Sequence, residues 1–177
     1  DIENNYNDYD GFVILHGTDT MAYTASALSF ICENLTKTVI VTGSQVPMTL
    51  SQSDGISNFL GALTIAGHFC IPEVTIYFHN KLFRGNRCQK VDATGFDAFD
   101  SPNFPPLLTQ GASIDVYWHR ILDSRKDSRF TVATSMSSDV TTLRLFPGDN
   151  IICSLTEALI GVNHPLLFCC LGSHWLF

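Results

Sequence analysis

A short polar cluster, His16-Gly17-Thr18-Asp19-Thr20, has the residue types that could carry out chemistry. It follows the unbroken apolar run of residues 12–15, which predicts a strand buried on both faces, and it precedes a predicted helix. Ligands bind at the carboxyl ends of strands in parallel α/β sheets, and the free N–H groups at a helix start favour a carboxylate or another anion. The same residues are good helix N-caps, so residue types alone leave a ligand site and simple capping equally open.

The elements that must position this cluster alternate between strands and helices. Three apolar segments predict strands, at residues 12–15, residues 38–41 and Val74–Phe78. The first helix is predicted to carry one apolar stripe, formed by Met21, Ala25, Leu28, Cys32 and Leu35. The second helix, capped by Ser53 or Asp54, is predicted to carry another on one face, formed by Ile56, Leu60, Leu63 and Gly67. This alternation predicts an α/β fold with a Rossmann-like parallel sheet and flanking helices.

The pattern changes after residue 78. A strand or hairpin is predicted over residues 82–91, a Pro-rich loop over 101–106, and short strands within 114–122 and 130–133. No charged residue follows Glu157, which sets residues 149–177 apart as a separate tail. Its length would permit a membrane helix, but Asn163, His164 and Pro165 interrupt it, so no membrane span is predicted.

Composition limits the partners that this chain of 177 residues can have. The formal net charge is −7 and there is no basic run, which argues against binding nucleic acid or an anionic membrane. The six cysteines form no Cys-x-x-Cys pair, so no metal site is predicted. Free thiols in a reducing compartment are predicted instead, which agrees with a cytoplasmic location. A nucleotide-binding α/β domain is disfavoured because neither a G-x-G-x-x-G nor a Walker motif occurs.

Several ordered motifs resemble those of one enzyme family. Residues 11–26 closely match the second signature of the asparaginase/glutaminase family. Further segments follow in the family's order: Thr42-Gly43-Ser44-Gln45-Val46-Pro47, then Ser53-Asp54-Gly55 with Asn58, then residues 83–90 and 96–103. The last two are similar to the cytosolic, type I branch. The resemblance covers residues 1–148, which predicts a partial asparaginase N-terminal α/β domain there and an unmatched tail over 149–177.

The resemblance implies a function and a set of site residues. Thr18, Asp19 and Lys90 match the family's catalytic group, and Thr18, Asp19 and Ser44 match positions that meet the substrate. The implied reaction converts L-asparagine and water to L-aspartate and ammonia, without a metal or an organic cofactor. In such enzymes the lysine takes a proton from a threonine hydroxyl or a water, and the aspartate orients the lysine and binds the substrate's α-amino group. Relatives form homo-oligomers, so a homo-oligomer is expected.

The sequence also departs from the family pattern. Relatives carry a Thr-Gly-Gly-Thr motif near the N-terminus, whose threonine is the acyl-accepting nucleophile, and this motif does not occur here. We therefore expect the sequence to be a fragment of an L-asparagine amidohydrolase. The alternative is a catalytically incompetent fragment or pseudo-enzyme that binds an amino acid or pairs with an intact subunit.

Overall fold

The structure, a computed structural model, describes residues 1–124, 128–137, 140–144 and 166–170. The chain separates into two compact units, Asp1–Thr134 and Ser135–Phe177. The predicted boundary between residues 148 and 149 lies outside the described residues and stays a prediction.

Secondary structure in the first unit follows the predicted alternation. Its elements in chain order are β1 (Gly11–Leu15), α1 (Met21–Ile31), β2 (Cys32–Glu33), β3 (Thr38–Thr42), α2 (Gly55–His68), β4 (Val74–Phe78), β5 (Lys81–Arg84), β6 (Gln89–Lys90), β7 (Phe99–Asp100), β8 (Leu108–Gln110), β9 (Ile114–Val116), a short 3-10 helix (Trp118–Arg120) and β10 (Thr131–Val132). In the second unit, β11 (Val140–Arg144) pairs in parallel with β12 (Leu166–Cys170).

The main sheet is half parallel and half antiparallel. Its strand order is β1-β3-β4-β5-β8-β9, in which the first three strands are parallel and each later strand is antiparallel to its neighbour. The predicted α/β class with parallel strands and flanking helices is therefore confirmed, within a mixed sheet. The direction changes at His79 and Asn80, which both have left-handed φ angles, of 44° and 63°. Two such residues make the tight turn of a β-hairpin, whereas a parallel connection needs a longer crossover.

The two helices pack on opposite faces of this sheet. Successive side chains of β3 alternate between the faces: Val39 and Val41 belong to a core cluster with α1, and Ile40 belongs to another cluster with α2. The result is a helix, sheet and helix sandwich, with the β1, β3 and β4 strands in the middle layer. The carboxyl ends of these parallel strands meet at one edge, where the polar residues 16–20 lie.

The first helix is shorter than its apolar stripe predicted. It ends at Ile31, and Cys32 begins the short strand β2, which pairs with β10. Asn34 then adopts a left-handed φ of 56°, which no helix can continue. Cys32 and Leu35 are still buried, but they reach the core from a strand and a loop. The prediction of a helix through Leu35 was wrong because tertiary pairing took over the last turn.

The second helix turns a different face to the sheet than its stripe of large apolar residues predicted. Its buried residues are mostly small: Gly55, Asn58, Gly61, Ala62 and Ile65. A Cβ at Gly61 would stand 2.3 Å from the hydroxyl of Tyr77, so a larger side chain would push the helix off β4. The predicted stripe of Ile56, Leu60 and Leu63 is instead exposed. The face of α2 that packs on the sheet is therefore set by how closely the helix must approach. The size of its apolar side chains does not decide it.

We predict different losses of stability for truncating one residue on each face of α2. Ile65→Ala should lower the free energy of unfolding by roughly 2–5 kcal/mol, because Ile65 is fully buried and its loss leaves a cavity. Leu60→Ala should change it by less than about 0.5 kcal/mol, because Leu60 is 55% exposed. Urea unfolding followed by circular dichroism measures both, and equal losses would contradict the assigned faces.

Candidate active site

Two loops lie side by side where β1 and β3 end. The backbone N–H of His16 donates to the carbonyl of Thr42 at 2.8 Å, which extends the parallel pairing past the strands. A Cβ at Gly43 would stand 2.1 Å from the His16 carbonyl oxygen and 2.9 Å from the Met21 side chain. Glycine at this position therefore permits residues 16–20 and residues 43–47 to approach each other closely.

Lys90 reaches the same place from a distant part of the chain. Its Nζ donates to Thr18 Oγ1 at 2.9 Å and to Asp19 Oδ1 at 2.7 Å. After β5 the chain returns along α1. The N–H of Gly85 bonds to the Val74 carbonyl at the amino end of β4, and the chain then runs back to β6, which lies at the carboxyl ends of the parallel strands. The Lys90 side chain is 18% exposed and that of Asp19 is 92% exposed, so the pair lies at the surface with the amine on its inner side.

Thr18 is bonded in a way that leaves its proton available. A hydroxyl has one donor and two acceptor lone pairs, and Thr18 Oγ1 accepts from the Lys90 amine. Its own O–H can therefore donate to another group, such as a water or the oxygen of an amide. This arrangement joins an amine, a hydroxyl and a carboxylate within one set of hydrogen bonds, as general acid–base chemistry requires.

Two carboxylates near the amine have pKa values lowered from the ordinary value of aspartate. The hydrogen bond from Lys90, and then its positive charge, hold the pKa of Asp19 below its ordinary value. The N–H groups of Thr94 and Gly95, with the Thr94 hydroxyl, lower the pKa of Asp92, and the charge of Lys90 contributes less. The local surface therefore presents negative charge to solvent at neutral pH, which suits the ammonium group of an amino acid.

The capping-type residues before α1 do not cap it with their side chains. Thr20 is the N-cap residue, but its side chain makes no capping hydrogen bond. The side chains of Thr18 and Asp19 go to Lys90. The sequence left capping and a site open, and the geometry favours the site.

His16 holds the turn that carries these residues. Its Nδ1 lies 2.7 Å from the carbonyl oxygen of Gly17, and its Nε2 lies 2.9 Å from Thr24 Oγ1. A carbonyl oxygen can only accept, so Nδ1 donates to Gly17, and Nε2 pairs with the Thr24 hydroxyl. The sequence pattern did not predict this role for His16.

Ser44 lies in the neighbouring loop, after β3. It is half-buried, and its side chain makes no hydrogen bond among the described residues. The structure thus brings Thr18, Asp19 and Lys90 into direct contact and places Ser44 in the loop that follows the neighbouring strand β3.

Asp54 fixes the loop that carries Ser44, a role that the sequence pattern did not predict. Its carboxylate accepts from the backbone N–H groups of Gln45 at 3.0 Å and of Val46 at 3.1 Å. Asn58, one turn further along α2, donates to Asp54 and to the Gly43 carbonyl. The spacing of an aspartate and an asparagine four residues apart at a helix start was the available signal, since such pairs share one helix face.

A cavity of about 420 Å³ opens beside the Asp19–Lys90 pair. Asp19, Tyr23, Ser26 and Lys90 contribute polar groups to its wall. Cys88 also lines it, and burial raises the pKa of this thiol to about 12, so it remains protonated and unreactive. A larger cavity of about 480 Å³ lies at the amino end of β4, around the buried ion pair of Glu73 and Arg84, and so is far from this chemistry.

Comparison with known proteins identifies the family. The family model described as "Asparaginase, N-terminal" matches residues 1–122, and the chain belongs to the asparaginase family. L-asparaginase 1 of Escherichia coli (strain K12) is 64% identical over 114 residues, which cover 64% of this chain and 34% of that protein. The 60 kDa lysophospholipase of Mus musculus is 53% identical over 147 residues, 83% of this chain and 26% of that protein.

A solved structure has the same fold. The crystal structure of L-asparaginase I from Vibrio cholerae O1 biovar eltor str. N16961 superposes with a TM-score of 0.84 and 48% identity, over 94% of this chain and 51% of that one. The chain therefore spans about half the length of this solved relative and 34% or less of the two curated relatives.

Two further observations concern metals and membranes. Among the described residues, no group of three or more His, Cys, Asp or Glu side chains is arranged to hold a metal ion. In the same ranges, none of the helices has the length and apolarity needed to cross a membrane.

The contact with Lys90 predicts how Asp19 should titrate. Because the pKa of Asp19 is lowered from 3.8, the ion pair should be fully formed above that value and should be lost as the pH falls through the lowered pKa. Lys90→Met should raise the pKa of Asp19 towards 3.8. Carboxyl ¹³C NMR measures this shift, with Lys81→Met as the matched control. An Asp19 titration that does not respond to Lys90→Met would contradict the contact.

Proposed function

We propose that this chain is part of an L-asparagine amidohydrolase, which converts L-asparagine and water to L-aspartate and ammonia. The observation that carries the proposal is the position of the Lys90 amine, 2.9 Å from Thr18 Oγ1 and 2.7 Å from Asp19 Oδ1. Membership of the asparaginase family supports the same reaction. The substrate is a small amino acid, and no metal or organic cofactor takes part.

We assign one role to each residue of the group. Lys90, in its neutral form, takes a proton from a threonine hydroxyl or a water and returns it to the departing ammonia. Thr18 positions the attacking water or polarises the substrate amide with its free O–H. Asp19 orients the lysine and binds the α-ammonium group of the substrate. Ser44 offers its backbone carbonyl to the substrate amide.

The cellular setting belongs to the same proposal. The described cysteines Cys32, Cys70 and Cys88 are all free thiols, which supports a reducing compartment and a cytoplasmic location. A homo-oligomer is proposed from the family resemblance.

A chimaera with a full-length relative tests the proposed reaction. The 114 residues matched to L-asparaginase 1 of Escherichia coli replace their counterparts in that enzyme. The chimaera should release ammonia from L-asparagine, and Lys90→Met should lower kcat by roughly 10²- to 10⁴-fold because the proton acceptor is lost.

The matched control is Lys81→Met in the same chimaera. Lys81 pairs with Asp97 at 2.7 Å, but both side chains are exposed, so this pair should contribute little to stability or activity. A folded chimaera without ammonia release, or one in which Lys90→Met keeps full activity, would overturn the proposal.

One feature favours a second candidate, a fragment that binds an amino acid without turning it over. The sequence contains no Thr-Gly-Gly-Thr motif, so the nucleophile of relatives has no counterpart in it. Ammonia release by the 177-residue chain alone would eliminate this candidate, and binding of L-asparagine without release would favour it.

The α-amino group of the substrate gives a separate prediction on this chain. L-asparagine should bind more tightly than 3-carbamoylpropanoate, which lacks only the α-amino group, by roughly 10- to 100-fold for a hydrogen bond to a charged partner. Asp19→Asn should abolish most of this preference. Titration calorimetry measures both ligands, and an unchanged preference in the variant would exclude Asp19 as the ammonium site.

A further inference from the structure

The strand that carries Lys90 is bonded to a single neighbouring strand. Among the described residues, β6 pairs only with β7, through Gln89 with Asp100 and Lys90 with Phe99. The partner strand is firmly anchored, because Phe99 is buried and its ring centroid lies 4.9 Å from that of Phe78. Phe99 and the buried Cys88 therefore fix the inner side of the hairpin, and its outer side depends on further attachments.

The tip of this hairpin is a compact turn. Asp92 Oδ1 accepts from the N–H groups of Thr94 at 2.7 Å and Gly95 at 3.0 Å, and from the Thr94 hydroxyl at 3.0 Å. An aspartate that bonds the backbone two and three residues ahead stiffens a turn. Because Asp92 is two residues after Lys90, the turn and the lysine backbone move together.

Gln45 ties this turn to the loop at the end of β3. Its Nε2 donates to the Gly95 carbonyl at 3.0 Å and, more weakly, to the Asp92 carbonyl at 3.4 Å. The backbone of Gln45 is itself fixed, since its N–H donates to both carboxylate oxygens of Asp54 at 3.0 and 3.1 Å. A continuous set of hydrogen bonds thus runs from the start of α2 to the hairpin tip.

We propose that Gln45 is a positioning residue, whose side-chain amide holds the hairpin so that the Lys90 amine stays on Thr18 and Asp19. The effect of this residue on catalysis rests on the proposed amidohydrolase function. Its effect on the position of Lys90 does not depend on that function. The Lys81–Asp97 ion pair also reaches the hairpin, but water reaches both of its side chains and weakens this attachment.

A pair of matched substitutions in this chain tests the geometry. Gln45→Met keeps the length of the side chain and removes the donor, and Gln52→Met makes the same change at an exposed glutamine of the loop before α2. In Gln45→Met the Asp19 carboxyl should titrate closer to its ordinary pKa of 3.8, and acylation of Lys90 should become several-fold faster. In Gln52→Met neither should change.

The thermal midpoint separates positioning from a general structural role. The midpoint should be nearly the same in both variants, because one hydrogen bond from a half-exposed side-chain amide contributes little to stability. If Gln45→Met leaves the Asp19 titration and the Lys90 acylation rate unchanged, or changes them only together with a large loss of thermal stability, the inference is overturned.

The chimaera described above gives the catalytic readout. There, Gln45→Met should lower kcat by roughly ten- to hundredfold with a smaller change in KM, since a displaced base affects the chemical step more than binding. A change in KM alone would contradict the role. If the chimaera with Gln45 intact releases no ammonia, the proposed function fails, while the titration of Asp19 still decides the positioning role.

Discussion

The candidate site depends on one contact, in which the Lys90 amine bonds to Thr18 and Asp19 across more than seventy residues of sequence. Asp19 is largely exposed, so water screens its attraction for the ammonium group and the ion pair cannot by itself hold the two segments together. The geometry must come from the surroundings. It is supplied by Phe99 in the core, by His16 in the turn after β1 and by Gln45, whose side chain bonds to the hairpin tip.

The N-cap residues of both helices, Thr20 and Asp54, make no side-chain capping hydrogen bond. The side chains of Thr18 and Asp19 bind Lys90, and the carboxylate of Asp54 binds the backbone of Gln45 and Val46. Neither α1 nor α2 has a side-chain cap from its N-cap residue. At α2 the Ser53 hydroxyl accepts from the Gly55 N–H at 3.0 Å instead. At α1 a missing cap costs roughly 0.5–2 kcal/mol, so the fold gives up stability at the edge of the sheet where the candidate site lies. Such a sacrifice is typical of functional positions.

The change of direction in the sheet is what delivers the lysine. The tight turn at His79 and Asn80 sends β5 back towards the amino ends of the parallel strands. The following segment then runs along α1 to the carboxyl ends, where β6 places Lys90. A fully parallel sheet would need another helical crossover at this point. The antiparallel half therefore brings the segment with Lys90 to this edge of the sheet. The parallel half alone would supply only residues 16–20 and 43–47 there.

The sequence by itself determined the order of strands and helices, the α/β class and the polar cluster at the end of the first strand, because these depend on local apolar spacing and on short motifs. The ordered motifs also identified Thr18, Asp19 and Lys90 as one group. Only the tertiary structure decided the end of α1 at Ile31, the outward face of Leu60, and the roles of Asp54 and Gln45. Each of these depends on how closely distant backbone segments approach, and local spacing does not encode such distances.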